Sequence, residues 1–363
     1  MRGLYIHIPF CKHICNYCDF PKHIASKDEE IDKYIDFIIN DIDNYKLFFN
    51  SVKTIFIGGG TPNILSNKNL IKLLTKINNT FKNVIEFTIE ANPEFITDEQ
   101  AKIFKKYNIN RVSLGVETFN NDDLIKLNRH HTKEDAIDAI NILRNNGLKN
   151  INIDLIFAHP YDTIDKVKNN IDIIKNLDLN HISYYSMILE EKTVFNHMLK
   201  TNKLKLIDED TEALMYETVI DELKALGYHH YETSNFAKEG FESKHNLLYW
   251  NSCEYIGIGA GASGYLDSVR YTNSFGMKKY YEGVKITEKI SLEEKKKEFL
   301  MLGFRKIDGI KISDYQKRFD SNIFEDFNFD KLLKKKLINI SDDVISLTKQ
   351  GIMLANEVFM EFV

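Results

Sequence analysis

The chain reads as an α/β protein: a partial, TIM-like barrel of six strand–helix units, followed by a smaller helical, winged-helix-like C-terminal region. Three observations predict this. Short apolar, β-rich runs alternate with longer amphipathic stretches through roughly the first 190 residues. The chemically unusual residues sit just past the C-terminal ends of those runs, where barrels gather their active sites. Beyond about residue 290, helical patterns surround a single hairpin pattern.

The predicted strands cover residues 4–8, 52–57, 84–89, 111–116, 151–157 and 181–187. Between them, apolar residues recur at helical spacing over 31–45, 69–78, 98–107, 133–145 and 163–177. Such alternation implies a parallel sheet with right-handed crossovers. An open sheet would concentrate its ligand at one switch point. Here every strand end carries a candidate, which favours a barrel-like sheet. A helix is expected over 208–226, stopped by Gly227. Residues 234–264 read as loop-rich, and 337–340 with 344–348 as a hairpin around Asp342-Asp343. The expected divisions are 1–205 for the barrel core, 206–290 for an extension of it, and 291–363 for the C-terminal domain.

Composition narrows the function. The 363 residues are 43% hydrophobic and 28% charged, with a formal net charge of −5. That balance argues against a broad nucleic-acid surface, and no nucleic-acid partner is expected. The lysine runs at Lys295–Lys297 and Lys334–Lys336 fall in helical patterns and read as solvated faces. No apolar run reaches membrane-spanning length, and no signal-peptide layout opens the chain. Four cysteines, three of them clustered, fit a reducing, cytoplasmic setting.

Those three are Cys11, Cys15 and Cys18, directly after the first strand. Three thiols cannot all pair as disulfides. They can hold an iron–sulfur cluster and leave one iron open for chemistry. A zinc site completed by Cys253, His13 or His23 is the alternative on spacing alone. Gly58-Gly59-Gly60-Thr61-Pro62 ends the second strand and Glu90-Ala91-Asn92-Pro93 the third; Glu117 follows the fourth and Asp154 lies in the fifth. Gly257–Gly264 looks like a dinucleotide loop but lacks a following βαβ unit, so a cofactor of that kind is not expected.

Tyr5-Ile6-His7-Ile8-Pro9-Phe10-Cys11, the Cys-x3-Cys-x2-Cys spacing and the Gly58–Pro62 run resemble the radical S-adenosylmethionine (SAM) superfamily. Within it they resemble the branch that holds oxygen-independent coproporphyrinogen III oxidases (HemN) and the HemW heme chaperones. The resemblance spans nearly the whole chain and implies a radical-SAM barrel with a HemN-type C-terminal domain. It implies a [4Fe-4S] cluster on Cys11, Cys15 and Cys18, with SAM chelating the fourth iron and broken reductively to a 5′-deoxyadenosyl radical. Gly59, Gly60 and Thr61 would then meet the methionine end of SAM, and Glu90 and Arg129 its amino and carboxylate groups. Asp154 would take the ribose and Tyr17 the adenine. Tyr5, Glu117, Ile188 and Ser263 match further SAM-contact positions, although the oxidases carry Gln where this chain has Glu117.

Two departures resemble the HemW side. Cys18 is followed by Asp19-Phe20 instead of Gly-Cys, and the oxidases' N-terminal extension before the cluster motif has no counterpart. His245-Asn246-Leu247-Leu248-Tyr249-Trp250 matches the His-Asn-x-x-Tyr-Trp motif associated with heme. Imidazole is a good ligand for heme iron, and the aromatic pair offers surface for a porphyrin. His245, Asn246, Tyr249 and Trp250 are therefore the expected heme residues. A heme chaperone delivering to hemoproteins is the implied function, with respiratory enzymes as acceptors, peripheral membrane contact and a homodimer. The alternative is an oxidative decarboxylase of coproporphyrinogen III.

Overall fold

The computed structural model describes residues 1–24 and 27–363. Six parallel strands run in sequential order: β1 (Arg2–Ile8), β2 (Val52–Gly59), β3 (Glu86–Ala91), β4 (Arg111–Glu117), β5 (Ile151–Phe157) and β6 (His181–Ser186). The crossovers carry α1 (Asp28–Ile42), α2 (Asn67–Thr80), α3 (Asp98–Lys106), α4 (Asn121–Lys126), α5 (Lys133–Asn145) and α6 (Ile164–Leu177). The strands alternate: one face is apolar and packs in the core with the helices, and the other carries polar residues such as Glu90, Ser113, Asn152 and Asp154. Ile6, Ile8, Ile55, Ile57, Ile89, Leu114 and Ile153 are all fully buried.

The helix starts are written locally. Ser66, Thr97, Thr132 and Thr163 open α2, α3, α5 and α6, each accepting a hydrogen bond from the backbone N–H three residues on. Thr132 forms a full capping box with Asp135. These caps leave the strand C-termini together on one rim.

The sheet grows at both edges. After α7 (Val194–Lys200) and α8 (Glu209–Ala225), β7 (His229–Glu232) and β8 (Asn235–Ala237) add antiparallel beside β6. Gly227 follows α8 at φ +85°, as its sequence position suggested. The stretch expected to be loop-rich is ordered instead. It contains α9 (Lys244–Trp250) and β9 (Tyr255–Ile258), which pairs parallel with β1 on the side away from β2. β10 (Ser263–Leu266), β11 (Val269–Asn273) and β12 (Lys285–Lys289) continue outward antiparallel, with α10 (Met277–Tyr281) between the last two. Among the described residues the sheet therefore has twelve strands and is open. Gly257 makes this pairing feasible, because a Cβ there would lie 1.8 Å from the Ser263 carbonyl oxygen.

The C-terminal region has its own core around Leu300, Phe304, Tyr315, Ile345 and Val358. It holds α11 (Leu292–Gly303), β13 (Ile310–Lys311), α12 (Ile312–Phe319), then β14 (Ile338–Ser341) and β15 (Val344–Leu347), which form the expected hairpin. Among the described residues no helix is long and apolar enough to cross a membrane.

Candidate functional site

A cavity of about 460 Å³ opens at the C-terminal rim of β1–β6. Cys11, Cys15 and Cys18 line it, all free and partly exposed. Gly59 and Gly60 pass close beneath them. Gly59 has φ +117°, and a Cβ there would lie 2.5 Å from the His7 ring. A Cβ on Gly60 would fall 2.9 Å from Cys11 Sγ and 2.7 Å from the Phe10 carbonyl oxygen. Only glycine allows this approach. Thr61 Oγ1 lies 3.6 Å from Cys11 Sγ, and Arg129 Nη1 lies 3.6 Å from Cys15 Sγ. Among the described residues no three His, Cys, Asp or Glu side chains converge on a single-ion site.

The opposite wall is polar and buried. Glu90 accepts from the Gly59 N–H at 2.9 Å, and burial pushes its carboxyl pKa up to about 8. Glu117 ends β4 at φ +64°, beside a register shift between Gly115 and Glu117 that re-aims its side chain into the cavity. Burial raises its pKa to about 7, against the pull of Arg129 at 3.6 Å. Arg129 also donates to Asn92 Oδ1 at 3.1 Å and to the Gly115 carbonyl at 2.5 Å. The ion pair of Arg129 is thus with Glu117, while Glu90 bonds to backbone. Asp154 is held by Ser113 at 3.0 Å and Asn152 at 2.8 Å, and burial raises its pKa. Tyr17 and Ile188 complete the lining.

Of the eleven residues assigned to SAM from sequence, nine share this cavity. Tyr5 and Ser263 do not: they line a second cavity on the far side of β1. The sequence reading missed Asn92 as the partner of Arg129, and Tyr185 and Lys22 on the cavity wall. Only Asn92, inside the Glu90–Pro93 motif, carried a local signal.

The expected heme residues are spread over three environments. His245 is fully buried behind β1 and β2; its Nδ1 lies 2.8 Å from Thr54 Oγ1 and its Nε2 2.8 Å from the Tyr249 hydroxyl. Burial lowers its pKa to about 3. The Glu86 carboxylate accepts the backbone N–H groups of Lys244 and His245 at 2.8 Å each, completing the first turn of α9. Asn246 lies in that turn, its N–H on the Ser243 cap. Tyr249 faces the second cavity, and Trp250 lies 4.9 Å below the Arg305 guanidinium. Both nitrogens of His245 are therefore already engaged inside the protein.

The Radical SAM superfamily model matches residues 5–174, and the HemN C-terminal domain model matches residues 290–354. The heme chaperone HemW of Lactococcus lactis is 40% identical over 370 residues, covering 99% of this chain and 97% of that protein. The chain belongs to the HemW family. HemW of Bacillus subtilis is 39% identical over 378 residues, covering 100% of this chain and 99% of that protein. HemW of Escherichia coli is 33% identical, covering 85% and 83% respectively. The fold also matches the solved structure of coproporphyrinogen III oxidase (HemN) from Escherichia coli. That match has a TM-score of 0.85 at 20% identity and covers 99% of this chain and 89% of that one.

Membership of the radical SAM superfamily implies a [4Fe-4S] cluster and SAM. The residues present fit both. Three accessible thiols line one wall of a cavity with a side-chain-free glycine edge. Facing them, Arg129 Nε is a buried donor without a hydrogen-bond partner among the described residues, capacity that an amino acid's carboxylate can use. When bound, such a cluster would supply one-electron chemistry to SAM. With SAM bound, Gly59–Thr61 would offer it a bare backbone edge, and Arg129 with the two buried carboxyls would face its charged groups.

Proposed function

We propose that this protein binds heme and hands it to apo-hemoproteins, as a HemW-type heme chaperone, with SAM and the cluster supporting that handling. The similarity that carries the reading is 40% identity along essentially the full length of a protein named for this role. The His245–Trp250 segment supports it, because α9 brings Tyr249 to the wall of a cavity large enough for a flat ligand. In this reading residues 1–205 hold cluster and SAM, 206–290 supply the heme segment, and 291–363 close the far side. Cys11, Cys15 and Cys18 hold the cluster. Gly59, Gly60, Thr61, Glu90, Glu117, Arg129, Asp154, Tyr17 and Ile188 hold SAM, while Tyr5 and Ser263 line the second cavity. The acceptors are respiratory hemoproteins met at a membrane surface, and the carrier works as a homodimer.

The test is an anaerobic heme titration of the cluster-reconstituted protein. Saturable binding at one heme per chain, weakened in Tyr249→Ala, supports the reading. Absence of heme binding, or conversion of coproporphyrinogen propionates to vinyl groups, removes it in favour of the decarboxylase.

A further inference from the structure

The cavity behind β1 has a volume of about 540 Å³, inside the range of ligand pockets, about 300–1,000 Å³. It lies between strands β1, β9 and β10 of the sheet and helices α11 and α12. Tyr5, Tyr249, Tyr255 and Tyr265 give it aromatic walls, and Met301 and Leu302 give it an apolar one. Such walls suit a large flat apolar body.

Its charges are unequal. Arg270, Lys295 and Arg318 border it, against the single carboxylate of Glu298. Glu298 is already taken by Arg270, at 2.6 Å. Arg318 donates only to neutral oxygens, the Asn251 and Ser252 carbonyls at 2.8 and 2.5 Å. Lys295 donates to the Ser268 hydroxyl. Two cations therefore border the cavity without a carboxylate partner. A ligand matching this surface is flat and apolar, with two carboxylates on one edge.

One residue joins this cavity to the cluster cavity. Phe20 borders both, with 61% of its surface exposed, unusual for a phenylalanine so close to the core of a site. It stands as an apolar partition between them.

We propose that the cavity behind β1 is the heme seat, that Arg318 and Lys295 receive the two propionates, and that Phe20 separates the heme from the SAM cavity. This rests on the heme-chaperone reading. In the seat, Tyr249 is a contact residue, and His245 is a positioning residue that holds its hydroxyl.

The test compares heme with its dimethyl ester, which lacks the carboxylates, on the full-length, cluster-reconstituted protein. The variants are Arg318→Gln/Lys295→Gln and, separately, Met301→Trp. Iron content and thermal midpoint are checked first, and Arg318, exposed on α12, can be changed without disturbing a core. The double variant should weaken heme at least about tenfold, the size of one charge-assisted hydrogen bond, and leave the ester unchanged. Met301→Trp, which fills the cavity, should weaken both. Heme binding by wild type that neither variant alters overturns the seat while leaving the chaperone reading intact. Equal weakening of heme and ester in the double variant overturns the propionate assignment. A wild type that binds no heme overturns both readings together.

Discussion

His245 Nε2 and the Tyr249 hydroxyl oxygen lie 2.8 Å apart across one turn of α9, with Thr54 closing the other side of the imidazole at 2.8 Å. The ring is a strut between β2 and the cavity wall. Its removal costs a cavity and leaves the Thr54 hydroxyl buried without its partner. His245→Ala should lose about 2–4 kcal/mol in urea unfolding. Tyr249→Ala should weaken heme as strongly while costing less stability. Equal heme binding by His245→Ala and wild type would show that the strut does not serve the site.

The same residue has a pH signature. Folding holds its pKa down to about 3, against 6.5 for the ordinary side chain. Between these values the unfolded chain binds the extra proton, so stability from this residue is complete above pH 6.5 and declines as pH falls toward 3. The slope is about 1.4 kcal/mol per pH unit. Unfolding of wild type against His245→Gln at pH 6.5 and pH 5 should therefore show the gap between the two narrowing by about 2 kcal/mol. A constant gap would mean that the imidazole is solvated in the folded protein.

Gly59 tests the seat of SAM. Any side chain there meets the His7 ring and an unfavourable φ, and shifts the N–H that Glu90 accepts. Gly59→Ala should cost about 1–3 kcal/mol of stability and lower SAM affinity at least about tenfold, measured by calorimetry. Unchanged affinity would remove this edge from the binding site.

Glu90 couples SAM binding to protons. Its carboxyl, held near pKa 8 by burial, is largely protonated at neutral pH. An ammonium group beside it favours the ionised form, so binding releases a proton and tightens as pH rises from 6 to 8. Calorimetry in buffers of different ionisation enthalpy should detect that release in wild type and not in Glu90→Gln. Identical proton release in the two proteins would place the titrating group elsewhere.

Much of this was legible in the chain itself. The βα alternation placed six strands within a few residues, because short β-rich stretches with apolar residues at every second position are readily told from the helical spacing between them. The cluster loop, Gly59–Thr61 and Asp154 were found because chemistry at strand ends leaves unusual residues in otherwise apolar runs. Later strands were harder. β9 reads as a glycine-rich loop, since Gly257 packs backbone on backbone and carries no apolar pattern. Tyr5 on β1 and Ser263 on β10, with β9 between the two strands, both line the second cavity, which only the sheet order reveals. His245 reads from sequence as a candidate iron ligand; its burial, against Thr54 191 positions away, is not visible there. Phe20 shows its position between two cavities only in three dimensions.

The most direct measurement is transfer. Heme-loaded, cluster-reconstituted protein is mixed anaerobically with an apo-hemoprotein of a respiratory membrane, and heme arrival is followed by absorption and recovered enzyme activity. The account predicts transfer faster than from free heme at equal concentration, with loss of heme from the carrier. Heme that stays on the carrier, or an acceptor that fills no faster than from free heme, would contradict a chaperone.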